Sequence, residues 1–136
     1  INEIMREIRY RGIGIAERKW VFGSLWFDTR NKATLIWSEE LKYWVRVDPA
    51  TVGQYTGLKD EHGKEIYEGD VIRSPLSEDK TRPHRIFYHT GNAAFMGALV
   101  DRKELCYLRL DQDWIYKFGK EVIGNIHDNP ELLKNE

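Results

Sequence analysis

Residues 53–72, GQYTGLKDEHGKEIYEGDVI, constrain the fold more than any other stretch. Val52, Gln54 and Thr56 alternate with Gly53 and Tyr55, the period of two that suits a strand. Gly57 is expected to end that strand. Asp60-Glu61-His62-Gly63 reads as a tight turn. An Asp at the first position can accept a hydrogen bond from the backbone two residues on, and a Gly at the fourth tolerates positive φ. Ile66 and Tyr67 form a short extended piece, Glu68-Gly69-Asp70 a second turn, and Val71-Ile72-Arg73 the next strand before Pro75 stops it. The stretch therefore predicts strand, turn, short strand, turn, strand. Gly57, Gly63 and Gly69 fit a scaffold role with no ligand. Tyr55, Tyr67 and Asp70 are the candidate binding residues here, the alternatives being two packed aromatics and a turn-capping carboxylate.

The flanking sequence has the same character. Ile8 and Tyr10 alternate with Glu7, Arg9 and Arg11 as a first strand, which Gly12 and Gly14 break or bulge. Residues 19–27, KWVFGSLWF, are too apolar for clean alternation and predict a strand kinked at Gly23. Residues 33–37 and 41–47 form a hairpin around Ser38-Glu39-Glu40. Trp37, Tyr43 and Trp44 lie near that hairpin, where cross-strand packing and core burial are the expectation and a stacking surface the alternative. Residues 74–83, SPLSEDKTRP, read as an exposed loop. Residues 84–89 and 93–100 make the next strands around Thr90-Gly91-Asn92, with a short helix as the alternative for 93–100. Residues 105–110 alternate as a strand. Asp111-Gln112-Asp113 reads as a turn before 114–118, and 121–126 as a last extended segment. Asn129 with Pro130 after it and Leu132-Leu133 beyond suits a short closing helical turn. Few stretches repeat every 3.6 residues. The expected class is mainly β, a small antiparallel barrel or sandwich with the SH3-like barrel as one form. Residues 1–47 would be a β-rich N-terminal subdomain, and 48–136 a barrel-like domain carrying the central stretch.

The run QYTGLKDEHGKEIYEGDVI resembles the shared core of the YopX family of phage and prophage proteins. Met5-Arg6-Glu7-Ile8-Arg9-Tyr10-Arg11 resembles that family's opening, and residues 122–133, VIGNIHDNPELL, its close. The three pieces span the chain. One departure is that the family's opening usually continues with an Ala-Trp pair, where this chain has Gly12-Ile13-Gly14. The resemblance implies a small β-rich protein encoded by a bacteriophage or integrated element. It brings no family-wide catalytic residues with it. Met5 heads the family-like opening, so the native start is expected at Met5 or upstream of it.

At 136 residues the chain is large enough to fold without disulfides or metal. Its 41% hydrophobic content, with five Trp and seven Tyr, is that of a globular protein. The net charge of −1 shows no chain-wide grip on nucleic acid or anionic membrane. The single Cys, Cys106, sits in an apolar run and makes no intramolecular bridge, which points to a buried structural thiol and a reducing, cytoplasmic setting, and the YopX resemblance implies that the setting is a bacterial host. No apolar run reaches the ~20 residues of a membrane span.

The chemistry-bearing residues are sparse. The four His, at 62, 84, 89 and 127, fall in no zinc-ligand spacing. No Ser lies in a nucleophile elbow, and Gly12-Ile13-Gly14 lacks the rest of a phosphate loop. No catalytic residue, metal or cofactor is expected. The local basic clusters are Lys80, Arg82, His84 and Arg85, and Arg6, Arg9 and Arg11. Two functions follow as expectations. The first is a non-catalytic interaction module that binds a host or phage protein or self-associates. The alternative is a nucleic-acid-binding β-barrel using Lys80, Arg82 and Arg85 with nearby aromatics.

Overall fold

The computed structural model describes residues 5–74, 83–100 and 107–133. The chain divides into two compact units, Ile1–Gly57 and Leu58–Glu136. Both are mainly β, as the sequence predicts.

In the first unit the strands are β1 (Tyr10–Ile13), β2 (Trp20–Asp28), β3 (Ala33–Ser38) and β4 (Trp44–Arg46), followed by a 3-10 turn (Pro49–Thr51) and β5 (Gly53–Lys59), which runs on into the second unit. β1 to β4 pair antiparallel in sequence order, and β5 adds to the other side of β1. Alternation places Val21, Ile36 and Val45 on one face, where with Val47 they form a buried core joined by Tyr10, Leu41 and Val52. Gly12 lies inside β1 rather than breaking it. A Cβ there would sit 3.2 Å from both Ile36 and Val47, so the residue is small because the core approaches the backbone. Gly14 bridges Val47, and Ile15 and Asp48 donate backbone hydrogen bonds to Arg46 and Ile13, so the end of β4 is tied to the end of β1. The Thr51 hydroxyl accepts from the Ile13 N–H at 2.9 Å and locks the 3-10 turn to β1. Ile8 lies before the strand and is 57% exposed, so the first strand begins two residues later than its alternation suggests.

The second unit contains β6 (Glu65–Tyr67), β7 (Asp70–Arg73), β8 (His84–His89), β9 (Ala94–Leu99), β10 (Tyr107–Arg109), α1 (Gln112–Lys117), β11 (Glu121–Asn125) and a closing 3-10 turn (Pro130–Leu133). Its sheet has the order β10-β9-β8-β7-β11, all antiparallel. Ile66, Ile72, Ile86, Leu110 and Ile115 are its buried core. The pairing of β11 with β7 shifts between Val122 and Gly124, a bulge that inserts Ile123. The expected turn at 111–113 is instead the start of a helix. The Asp111 carboxylate caps it by accepting from the Trp114 N–H at 2.7 Å, and Ile115 anchors it in the core.

The full strand orders are β4-β3-β2-β1-β5-β6 and β10-β9-β8-β7-β11. Among the described residues neither sheet closes into a barrel. No helix among them is long and apolar enough to cross a membrane.

Candidate interaction surface

Past Gly23 the outer edge of β2 pairs with no strand among the described residues. β1 pairs with β2 only through Gly23, whereas β4 pairs with β3 from Leu35 to Trp37 and the Val47 N–H goes on to the Thr34 carbonyl. In this outer arm of the β2–β3 hairpin, residues 24–28 of β2 therefore pair with β3 alone among the described residues. The arm is nevertheless apolar. Leu25, Trp26 and Phe27 are consecutive and exposed, Phe27 by 57%. Successive strand residues face opposite sides, so the arm presents apolar side chains on both. On Trp26's side lie Phe22, Trp37 and Trp44, because Trp37 pairs with Trp44 and Ser24 with Trp37. Trp44 meets Trp26 edge-on at 5.5 Å and Trp37 edge-on at 5.7 Å. Tyr43 and Trp44 are exposed, by 47% and 42%. The expectation that Trp37, Tyr43 and Trp44 are core is corrected here: the core lies on the opposite face of this sheet, and only Trp37 is half-buried.

Gly23 makes the arm possible. A Cβ at that position would lie 1.7 Å from the Trp37 carbonyl oxygen, so only glycine lets β3 pass this close. At the far end the Asp28 carboxylate accepts from the Arg30 and Asn31 backbone N–H groups and from the Asn31 amide. The Asn31 side-chain hydrogen bond holds Asp28 below its ordinary carboxylate pKa.

The central stretch has a different role. Asp60 is buried, and its carboxylate accepts from the backbone N–H groups of His62 (2.8 Å), Lys64 (2.9 Å) and Val122 (3.0 Å). The first of these is the turn contact the sequence predicts. β5 continues past the expected stop at Gly57 to Lys59. Beside the turn, His62 Nε2 and Glu121 Oε2 are 3.0 Å apart at the surface, and this hydrogen bond raises the His62 pKa above 6.5. Lys120 lies over the Trp114 ring at 4.6 Å, and burial lowers its pKa.

Tyr67 and Asp70 come together. Asp70 Oδ2 accepts from the Tyr67 N–H at 2.8 Å, and both residues are buried. Tyr55 is buried on β5 with the Arg9 guanidinium 5.3 Å from its ring centre. It borders an open hollow of about 240 Å³ with Met5, Arg6, Glu7 and Gly57, smaller than the roughly 300–1,000 Å³ of ligand pockets. Arg85 is half-buried on β8, its guanidinium 5.2 Å from the Phe87 ring centre. Lys80, Arg82 and Cys106 lie outside the described residues. Among the described residues no group of three His, Cys, Asp or Glu side chains is placed to hold a metal ion. The apolar run 19–27, too apolar for a strand with one wet face, was the signal for the arm.

The chain is thus a mainly β protein of two antiparallel sheets with an aromatic surface arm. The YopX protein family model matches residues 9–134, and the chain belongs to that family. It is also similar to the crystal structure of protein EF1440 from Enterococcus faecalis, at 26% identity and a TM-score of 0.59, covering 96% of this chain and 100% of that one. No curated protein matches the chain significantly. Neither the family description nor the neighbour's name carries a catalytic activity.

Proposed function

We propose that the chain is a non-catalytic protein-interaction module, encoded by a bacteriophage or integrated element and acting in the host cytosol, with the β2–β3 arm as its recognition element. The observation that carries this is the exposed run Leu25-Trp26-Phe27, apolar on both faces of β2 where its outer edge pairs with no strand among the described residues. Exposed apolar patches on soluble domains mark interaction sites, and Trp, Tyr and Phe are enriched in protein interfaces. The edge-on packing of Trp44 against Trp26 and Trp37 favours a protein partner over nucleic acid. Base stacking needs free ring faces, and these rings partly cover one another.

A photo-crosslinking residue placed at position 26 or 27, with a control at exposed Lys64, tests the proposal in host cells. A protein adduct from the arm and none from position 64 supports it. An arm with no adduct, or one crosslinked only to nucleic acid, overturns it.

A further inference from the structure

We infer that the arm pairs with a second copy of this chain, β2 against β2, antiparallel and centred on Trp26. The inference rests on the arm being an interaction element and names its occupant.

The first support is an open edge. From Ser24 to Asp28 the side of β2 away from β3 has no strand beside it among the described residues. Natural edge strands are protected by Lys, Pro, inward charges or covering loops, because an unprotected edge is a template for pairing. Residues 24–28, SLWFD, contain no Lys or Pro, and their one charge, Asp28, is engaged by its own loop.

The second support is that this edge is complementary to itself. Antiparallel pairing about Trp26 sets Ser24 against Asp28 of the second copy, Leu25 against Phe27, and Trp26 against Trp26. Apolar thus meets apolar, the one carboxylate meets a hydroxyl, and no like charges are opposed. A two-fold axis repeats each pairing, as an isologous contact requires. Directly opposed residues share a face, so both copies' Leu25 and Phe27 fall on one side of the joint sheet and both copies' Trp26 on the other.

The third support is area. The exposed fractions of Leu25, Trp26, Phe27 and Trp44, 37% to 57%, amount to roughly 400 Å² per copy at the size of such side chains. Two copies would bury at most about 800 Å² of side chain plus the backbone edge, at or below the lower limit of about 1,000–1,200 Å² for a specific contact. The dimer is therefore concentration-dependent, with a Kd on the order of micromolar.

Sedimentation velocity of the full chain from about 1 to 200 μM tests this, with the range set by that Kd. The expected result is a shift from monomer to dimer mass. Trp26→Lys, a polar change at a half-exposed site, abolishes the shift while the circular dichroism stays as in the parent and the Tm falls only by what the lost edge contact with Trp44 explains. Ser24→Asp opposes like charges and weakens the dimer about 5- to 10-fold, whereas Ser24→Lys faces Asp28 of the second copy and tightens it by a similar factor. A chain that stays monomeric throughout overturns the inference. So does a dimer indifferent to Trp26→Lys and to the sign of charge at position 24. A monomer whose arm still crosslinks to another protein overturns only the second copy as occupant. A monomer whose arm crosslinks to nothing overturns the interaction reading as well.

Discussion

The Asp60 carboxylate accepts a hydrogen bond from the Val122 backbone N–H at 3.0 Å, joining residues 62 apart in sequence. The same side chain holds the N–H groups of His62 and Lys64, so one buried carboxylate closes the turn before β6 and fastens β11 to it. Asp60→Ala strands three backbone donors and is expected to cost about 3 kcal/mol, since charged acceptors contribute more than neutral ones. Asp60→Asn keeps one acceptor oxygen and should cost about half as much. Urea unfolding with an unchanged m-value is the measurement. Equal costs for both variants would mean that the charge and the second oxygen contribute nothing.

Gly23 and Gly57 separate two reasons for a glycine. At Gly57 φ is +86° and no atom lies within 4 Å of an added Cβ, so Gly57→Ala carries only the left-handed penalty, about 1–2 kcal/mol. At Gly23 the added Cβ meets the Trp37 carbonyl at 1.7 Å. Gly23→Ala must push β2 and β3 apart and is expected to cost about 3 kcal/mol or more. Thermal unfolding ranks the two, and the reverse order would rule out the close β2–β3 approach.

Trp44 provides a third comparison. Truncating a core Trp costs about 3–5 kcal/mol. Trp44 is 42% exposed and makes two edge contacts, with Trp26 and Trp37. Each aromatic pair contributes about 0.5–1.5 kcal/mol, so Trp44→Ala should cost about 1–2 kcal/mol. Ile36→Ala, in the core of the same sheet, should cost about 3 kcal/mol. Paired denaturation curves decide, and a Trp44 loss that exceeds that of Ile36 would place the ring in the core.

Local rules made the turns legible. Asp60 with Gly63, Gly69 before Asp70, and Pro130 after Asn129 each carry their structure in a few adjacent residues, and all three turns form where the sequence places them. The helix at Gln112–Lys117 was hidden because six residues are too few to show a 3.6 period, and Asp-Gln-Asp suits a turn as well as an N-cap. Ile8 and Tyr10 predicted the alternation of β1 but not its start, which the ladder with β2 sets. The arm was half legible. An apolar run without alternation signals a strand wetted on neither face or apolar on both. Only the register, with β1 pairing ending at Gly23, shows that Trp26 and Phe27 face solvent.

The His62–Glu121 pair predicts a pH dependence with a definite sign. The Glu121 carboxylate, 3.0 Å from His62 Nε2, is the main reason the imidazole pKa rises above 6.5, with the Asp60 and Glu61 charges adding to it. A raised folded-state pKa means that the folded chain holds the proton more tightly than the unfolded one. The pair's contribution is therefore complete below about pH 6.5 and fades as pH rises through the higher folded value. Both groups reach solvent, so the contribution is small and shrinks with added salt. An NMR titration should place His62 above 6.5, and Glu121→Gln should bring it back toward that value. The Tm difference between the parent and Glu121→Gln should narrow as pH rises from 6 to 8, the window in which His62 loses its proton. A His62 titration that Glu121→Gln leaves unmoved would show that the pair does not form in solution.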